Sequence, residues 1–118
     1  MARVATQGVL MSTVDLRTRA AVLPTLDGAG RMLYRGRWVV LSLTEERVAA
    51  RLVRSFGHLV SHEDLCAAGW PLGNPSADCR VRMMRRLRGR CQALGLDLTT
   101  IRGHGYMLNE AKAVVRAS

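Results

Sequence analysis

Six arginines fall between Arg80 and Arg90, with no acidic residue among them. A guanidinium is a planar fork of N–H donors that grips a phosphate, or the O6/N7 edge of guanine, two bonds at a time. Arg82, Arg86 and Arg90 also stand four residues apart, a helical ladder whose like charges repel by roughly a few tenths of a kcal/mol. No carboxylate within the ladder relieves that cost, whereas a polyanion would. Neutralising several phosphates releases counterions, so the chemistry expected here is salt-sensitive nucleic-acid binding. A basic face packed on an acidic protein is the alternative use.

Other chemistry has less to work with. His58, His62 and Cys66 repeat every four residues, a spacing that invites a metal. His58 falls before the helix that would carry the other two, and no fourth ligand follows; structural zinc takes four. No metal and no cofactor are expected. There is no nucleophile–base pair, carboxylate dyad or glycine-rich phosphate loop. Glu45-Glu46 and Glu63-Asp64 sit at expected helix starts, where the helix dipole favours acids, and the chain is not expected to be an enzyme. Cys66, Cys79 and Cys91 form no C-x-x-C pair; an odd count without a secretion signal fits reduced thiols.

The 118 residues suffice for one core but not for two domains. With 48% apolar and 23% charged residues the composition is globular. Eighteen basic residues against nine acidic ones give a net charge of +9, which points to a polyanionic partner, nucleic acid before membrane. All the basic residues but Lys112 are arginine. The longest apolar runs, such as Trp38–Leu41, fall far short of the ~18 residues of a membrane span, and no signal-peptide core follows Arg3. A cytoplasmic, nucleoid-associated location is expected.

Elements that position these side chains can be read in order. Residues 1–19 form an arm with weak periodicity. Short strands follow: Ala21–Leu26, then Arg31–Tyr34 and Arg37–Leu41 around an Arg35-Gly36 turn. Ser42-Leu43-Thr44-Glu45 fits a capping box, and Val48, Ala49, Leu52, Val53 and Phe56 make one apolar face, with Gly57 as the stop. Ser61-His62-Glu63-Asp64 opens a second helix with Leu65, Cys66 and Ala68 or Gly69 inward, ending at Trp70-Pro71. Asn74-Pro75 is read as the start of the third helix, which runs to Leu94 before Gly95. At ~100° per residue its core arc holds Ala77, Met84, Leu87, Cys91 and Leu94, with Met83 at the edge. Arg82, Arg85, Arg86 and Arg90 lie opposite, Gly89 lies among them, and Arg88 is on a flank. Arg80 alone lands within the apolar arc, from which its head must snorkel outward. Gly89 either lets a backbone approach or has no role. Leu98–Arg102, the Gly103-His104-Gly105 turn and Tyr106–Leu108 form a closing hairpin, with Tyr106 packed on the core. His104 either reaches a phosphate or only closes its loop. The outline is α+β: a winged helix-turn-helix with a short N-terminal antiparallel sheet, three helices and a C-terminal β-hairpin wing.

These residues resemble the DNA-binding effector domain of OmpR/PhoB-type response regulators. The resemblance is carried by Leu41-Ser42-Leu43-Thr44-Glu45, Gly57-His58-Leu59-Val60-Ser61-His62-Glu63-Asp64-Leu65, Trp70, Arg85-Arg86-Leu87-Arg88 and Ile101-Arg102-Gly103-His104-Gly105-Tyr106, in the family's order across residues 20–108. It implies a four-stranded N-terminal sheet, a recognition helix in the major groove and a wing at the minor groove. Arg85, Arg86 and Arg88 match helix positions that contact DNA, Arg82 matches a base-touching position, and Arg102 matches the wing arginine. His62 replaces a common arginine at a helix start and suits a phosphate. The sequence differs from the pattern at Glu46, Asp78, Arg80, Val81 and Met83, and the domain is expected to act without a receiver domain.

The expected organisation is an arm at 1–19, a winged-helix domain at 20–108 and a tail at 109–118. The expected function is a stand-alone, sequence-specific double-stranded DNA-binding transcriptional regulator of bacterial, phage or mobile-element origin. Its recognition helix spans 75–94 and its wing 98–108, and its DNA-binding residues are His62, Arg82, Arg85, Arg86, Arg88, Arg90, Arg102 and His104. A single such module covers little DNA, so a homodimer, tandem binding, RNA polymerase or another DNA-bound regulator is the expected help. The alternative, favoured by the altered stretch Asp78 to Met83, is a protein-interaction module binding RNA polymerase, a sigma factor or a nucleoid protein.

Overall fold

A computed structural model of the protein describes residues 23–111. The expected arm at 1–19, the residues Ala21 and Val22, and the chain after Ala111 lie outside the described residues. The first three strands are β1 (Thr25–Leu26), β2 (Arg31–Tyr34) and β3 (Arg37–Val40), paired antiparallel in that order. Arg35 and Gly36 join β2 to β3 with φ of 50° and 82°, the two positive values that a type I′ hairpin requires. Arg35 also pairs with Glu110 at 3.0 Å, tying this turn to the far end of the chain. At the β1–β2 turn, Asp27 accepts the Ala29 amide at 2.8 Å and faces Arg31. These bonds hold its carboxyl below the usual range.

Helix α1 (Leu43–Arg54) starts as its sequence requires. Ser42 Oγ accepts the Glu45 amide at 3.2 Å, and Glu45 Oε1 accepts the Ser42 amide at 2.8 Å. Val48, Ala49 and Leu52 are buried, while Val53 and Phe56 pack at the edge of the core. The helix stops at Ser55 rather than at Gly57; Gly57 instead donates its amide to the Leu108 carbonyl. Helix α2 (His62–Gly69) is capped by Ser61, whose Oγ accepts the Asp64 amide. Arg51 bridges α1 to α2 by reaching Asp64 at 3.3 Å. Of the expected inward residues Leu65 and Gly69 are buried, Cys66 only partly.

The long helix α3 spans Ala77–Leu94. Its start is two residues later than Asn74-Pro75 suggests, because Ser76 provides the cap and its Oγ accepts the Cys79 amide at 3.1 Å. Pro75 therefore precedes the cap instead of occupying the first turn. Met83 is buried and Ala77 exposed, a small rotation of the expected core arc. Met84, Leu87, Cys91 and Leu94 complete the buried face. Full burial of a leucine such as Leu87 contributes about 1.5–3 kcal/mol, and this face fixes which way the arginines point. Burial pushes the Cys91 thiol up to about 12, so it stays protonated and unreactive.

The closing sheet has three strands, where the sequence suggests two. β5 (Leu96–Ile101) and β6 (Gly105–Glu110) form the wing hairpin, and β4 (Leu59–Ser61) pairs with the other side of β6. Val60, Leu96, Leu98 and Leu108 are buried between this sheet and the helices. β4 is too short to show an alternating pattern; it exists because β6 offers a long-range partner, with Val60 opposite Tyr106. β6 runs to Glu110, two residues beyond the expected end at Leu108, and Arg102 sits in the turn rather than in β5. Three strands of the N-terminal sheet are described; a fourth is not among the described residues.

Candidate nucleic-acid interface

With Leu87 and its neighbours turned inward, α3 presents Asp78, Arg82, Arg85, Arg86, Gly89 and Arg90 to solvent. The wing turn presents Arg102 and His104, both exposed. His104 donates its amide to the Ile101 carbonyl at 2.9 Å, which closes the turn. His62 is exposed as the first residue of α2 and rests edge-on against the Tyr106 ring, with centroids 5.3 Å apart. Tyr106 is half-buried against the core.

The arginine ladder is not unrelieved. Asp78, in the same helix, lies 3.1 Å from Arg82 Nη1, and both groups are well exposed, so the pair is weak. The larger correction comes from another element. Glu45 of α1 is 1% exposed, the buried charged residue among the described residues. Its Oε2 lies 3.1 Å from Arg86 Nε and its Oε1 3.8 Å from Arg90 Nε. One carboxylate thus serves the capping box and two arginines 41 and 45 positions along the chain, a link that no local pattern could reveal. Both pairs use Nε. The terminal nitrogens of Arg86 and Arg90 make no hydrogen bond among the described residues, and both residues are exposed. Arg85 has no ion pair among the described residues.

Arg88 takes a different part. Its Nε donates to the Leu98 carbonyl at 3.1 Å and its Nη2 to Thr100 Oγ1 at 2.7 Å, so it spans from α3 to the wing strand β5. Arg88→Ala is expected to lower stability by about 1.5 kcal/mol, the scale for a charged hydrogen bond that is partly screened. An unchanged urea midpoint would show that this strut carries no weight. Arg80 is half-buried at the rim of a cavity of about 30 Å³ bordered by His62, Cys66, Trp70 and Met84. That is room for about one water, too little for an organic ligand. His58, in the turn before β4, and His62, on α2, lie on different elements; no cluster of three or more metal-ligating side chains occurs among the described residues. No helix among them is long and apolar enough to cross a membrane.

Two helices feeding a third and a three-stranded closing sheet define a winged helix-turn-helix domain. No protein-family model matches the sequence, and no curated protein does either. Solved structures do. The C-terminal domain of the nisin resistance regulator NsrR, a lantibiotic response regulator, is 30% identical, with a TM-score of 0.63 over 72% of this chain and 89% of that one. The DNA-binding domain of Bacillus subtilis CssR is 27% identical, with a TM-score of 0.55 over 70% and 94%. The DNA-binding domain of the response regulator AdeR, solved with an intercistronic region, shares the fold at 17% identity and a TM-score of 0.61, over 74% and 93%. The chain belongs to the OmpR/PhoB family of response-regulator DNA-binding domains.

Proposed function

We propose that this domain binds double-stranded DNA as a transcriptional regulator, with α3 in the major groove and the Arg102–His104 turn at the minor groove. The observation that carries the reading is the outward row of Arg82, Arg85, Arg86 and Arg90 on one face of α3, whose carboxylate partners among the described residues are Asp78 and Glu45 alone. The family membership and the DNA in the AdeR structure support it. Arg102, beside a narrow turn, suits the focused negative potential of a tight minor groove. Arg88 acts as a positioning residue that holds the wing to α3, and His62 and His104 serve phosphates at the margins. Homodimeric or tandem binding supplies the contact area that one module lacks.

A gel-shift series in increasing salt tests the reading. Arg85→Ala with Arg86→Ala is expected to weaken binding and to make the log-affinity against log-salt slope shallower by about 0.9 for each phosphate no longer neutralised. An unchanged shift removes α3 from the site. Selection from random duplexes then reports the arrangement: direct repeats for tandem binding, inverted repeats for a symmetric dimer.

A second reading, a protein-interaction module that contacts RNA polymerase, a sigma factor or a nucleoid protein, is favoured by the start of α3. There Val81 is 53% exposed beside Asp78, where an apolar and an acidic group face outward together. A tight acidic protein partner recovered without any DNA affinity would favour it.

A further inference from the structure

Gly89 is a glycine for which the molecule itself has no use. It lies mid-helix on the exposed face of α3, and a β-carbon there would meet nothing within 4 Å. It does not adopt the left-handed backbone that favours glycine. Alanine would make the better helix at such a position, so the missing side chain costs stability without any internal return. Around it Arg85, Arg86 and Arg90, with Val39 of β3 and Ala93, border an open groove of about 410 Å³. Glu45 fixes two of these arginines side by side through Nε. Three guanidiniums against one carboxylate leave a surplus of two positive charges.

We infer that this groove seats a backbone phosphate of the DNA, which comes close to the α3 main chain at Gly89 and is held by the terminal nitrogens of Arg85, Arg86 and Arg90. The inference rests on the DNA reading above and adds to it a particular occupant on the β3 side of the helix. Arg85, Arg86 and Arg90 line the groove as hydrogen-bond donors, and the nearby carboxylate, Glu45, is buried and already engaged. A phosphate presents acceptors alone, as a groove of donors requires; the O6/N7 edge of guanine does so too, and the dependence of binding on duplex sequence separates the two. Glycine supplies the clearance, because at helical spacing a longer side chain at position 89 would project between Arg85 and Arg86.

Gly89→Leu tests this directly. The space is open and leucine is a good helix former, so the unfolding midpoint is expected to equal or exceed that of the unaltered protein. Binding to random-sequence duplex, followed by fluorescence anisotropy through a salt series, is expected to weaken with a slope shallower by about 0.9, the value for one phosphate fewer. The weakening should be uniform across duplex sequences. An unchanged slope in the folded variant overturns the inference, as does a weakening confined to particular sequences, which would mean a base contact. If the unaltered protein binds no duplex, the inference falls with the DNA reading. If Arg85→Ala with Arg86→Ala abolishes binding while Gly89→Leu does not weaken it, only the groove falls. Poly-glutamate displacing bound duplex as well as free duplex does would assign the groove to an acidic protein instead. Should Gly89→Leu lower the midpoint, Gly89→Ala gives the same slope measurement with a smaller obstruction.

Discussion

Gly105→Ala is expected to cost the domain about 3 kcal/mol or more. Gly105 is buried at the start of β6, opposite Ser61 of β4 and Ile101 of β5. A β-carbon added there would run into the Val60 carbonyl oxygen and come within 2.8 Å of Ser61 Cα and 2.9 Å of the Val60 carbonyl carbon. All three are backbone atoms, so no rotamer change relieves the clash. Either β4 parts from β6 or the wing turn rebuilds. Overpacking where side chains can adjust costs about 1–3 kcal/mol, and a clash with main chain belongs at or above the top of that range. Against a typical stability of about 5–15 kcal/mol, the effect should appear as a large drop in urea midpoint. A wild-type midpoint would mean that the β4–β6 pairing is dispensable.

Glu45→Ala is the second large effect, about 3 kcal/mol of stability. The substitution removes the acceptor for the Ser42 amide, a capping contribution of about 1 kcal/mol. It also leaves a void in a closely packed place and strips Arg86 and Arg90 of their shared partner. Breaking a fully buried pair costs about 3–5 kcal/mol. Arg86 and Arg90 are half exposed, so water screens their side of the interaction and the electrostatic part is well below that figure. Glu45→Gln keeps an amide oxygen for Ser42 but replaces the second oxygen with an NH2 that cannot accept from Arg86; it should recover the capping and packing part of the loss in a chemical denaturation series. If alanine and glutamine cost the same, the charge rather than the cap is what α1 requires from this residue.

The local parts of the fold are legible because their physics is local. Ser42 with Glu45, and Ser61 with Asp64, are neighbours whose hydroxyls and amides meet within one turn, so spacing alone finds them. Spacing misplaces the end of α1 and the start of α3, where neighbouring residues compete for the same task. Ser76 outcompetes Asn74 as a cap, and Ser55 closes α1 before Gly57 is reached. β4 is not legible, because three residues carry no period and its partner lies over forty positions away.

The interface divides along the same line. Helical periodicity places Arg82, Arg85, Arg86 and Arg90 on one outer face, and the buried Met84, Leu87 and Cys91 orient that face. Periodicity leaves Arg88 on a flank without saying what the flank meets; β5 decides that by offering the Leu98 carbonyl and the Thr100 hydroxyl. The wider role of Glu45 is hidden behind its role in the cap. Its second oxygen has no local partner, and an unassigned lone pair on a buried acid is the one sign that something distant must approach.

Ser61 is both the last residue of β4 and the cap of α2, so no linker separates the wing sheet from the helix-turn-helix. Arg88 braces the other side of the same junction. Together they make the module a caliper: in the proposed binding mode these contacts would set the span from the α3 surface to the Arg102 turn. Under that proposal discrimination would fall on the nucleic acid's own width and stiffness, since a site of the wrong gauge would have to deform itself to be gripped.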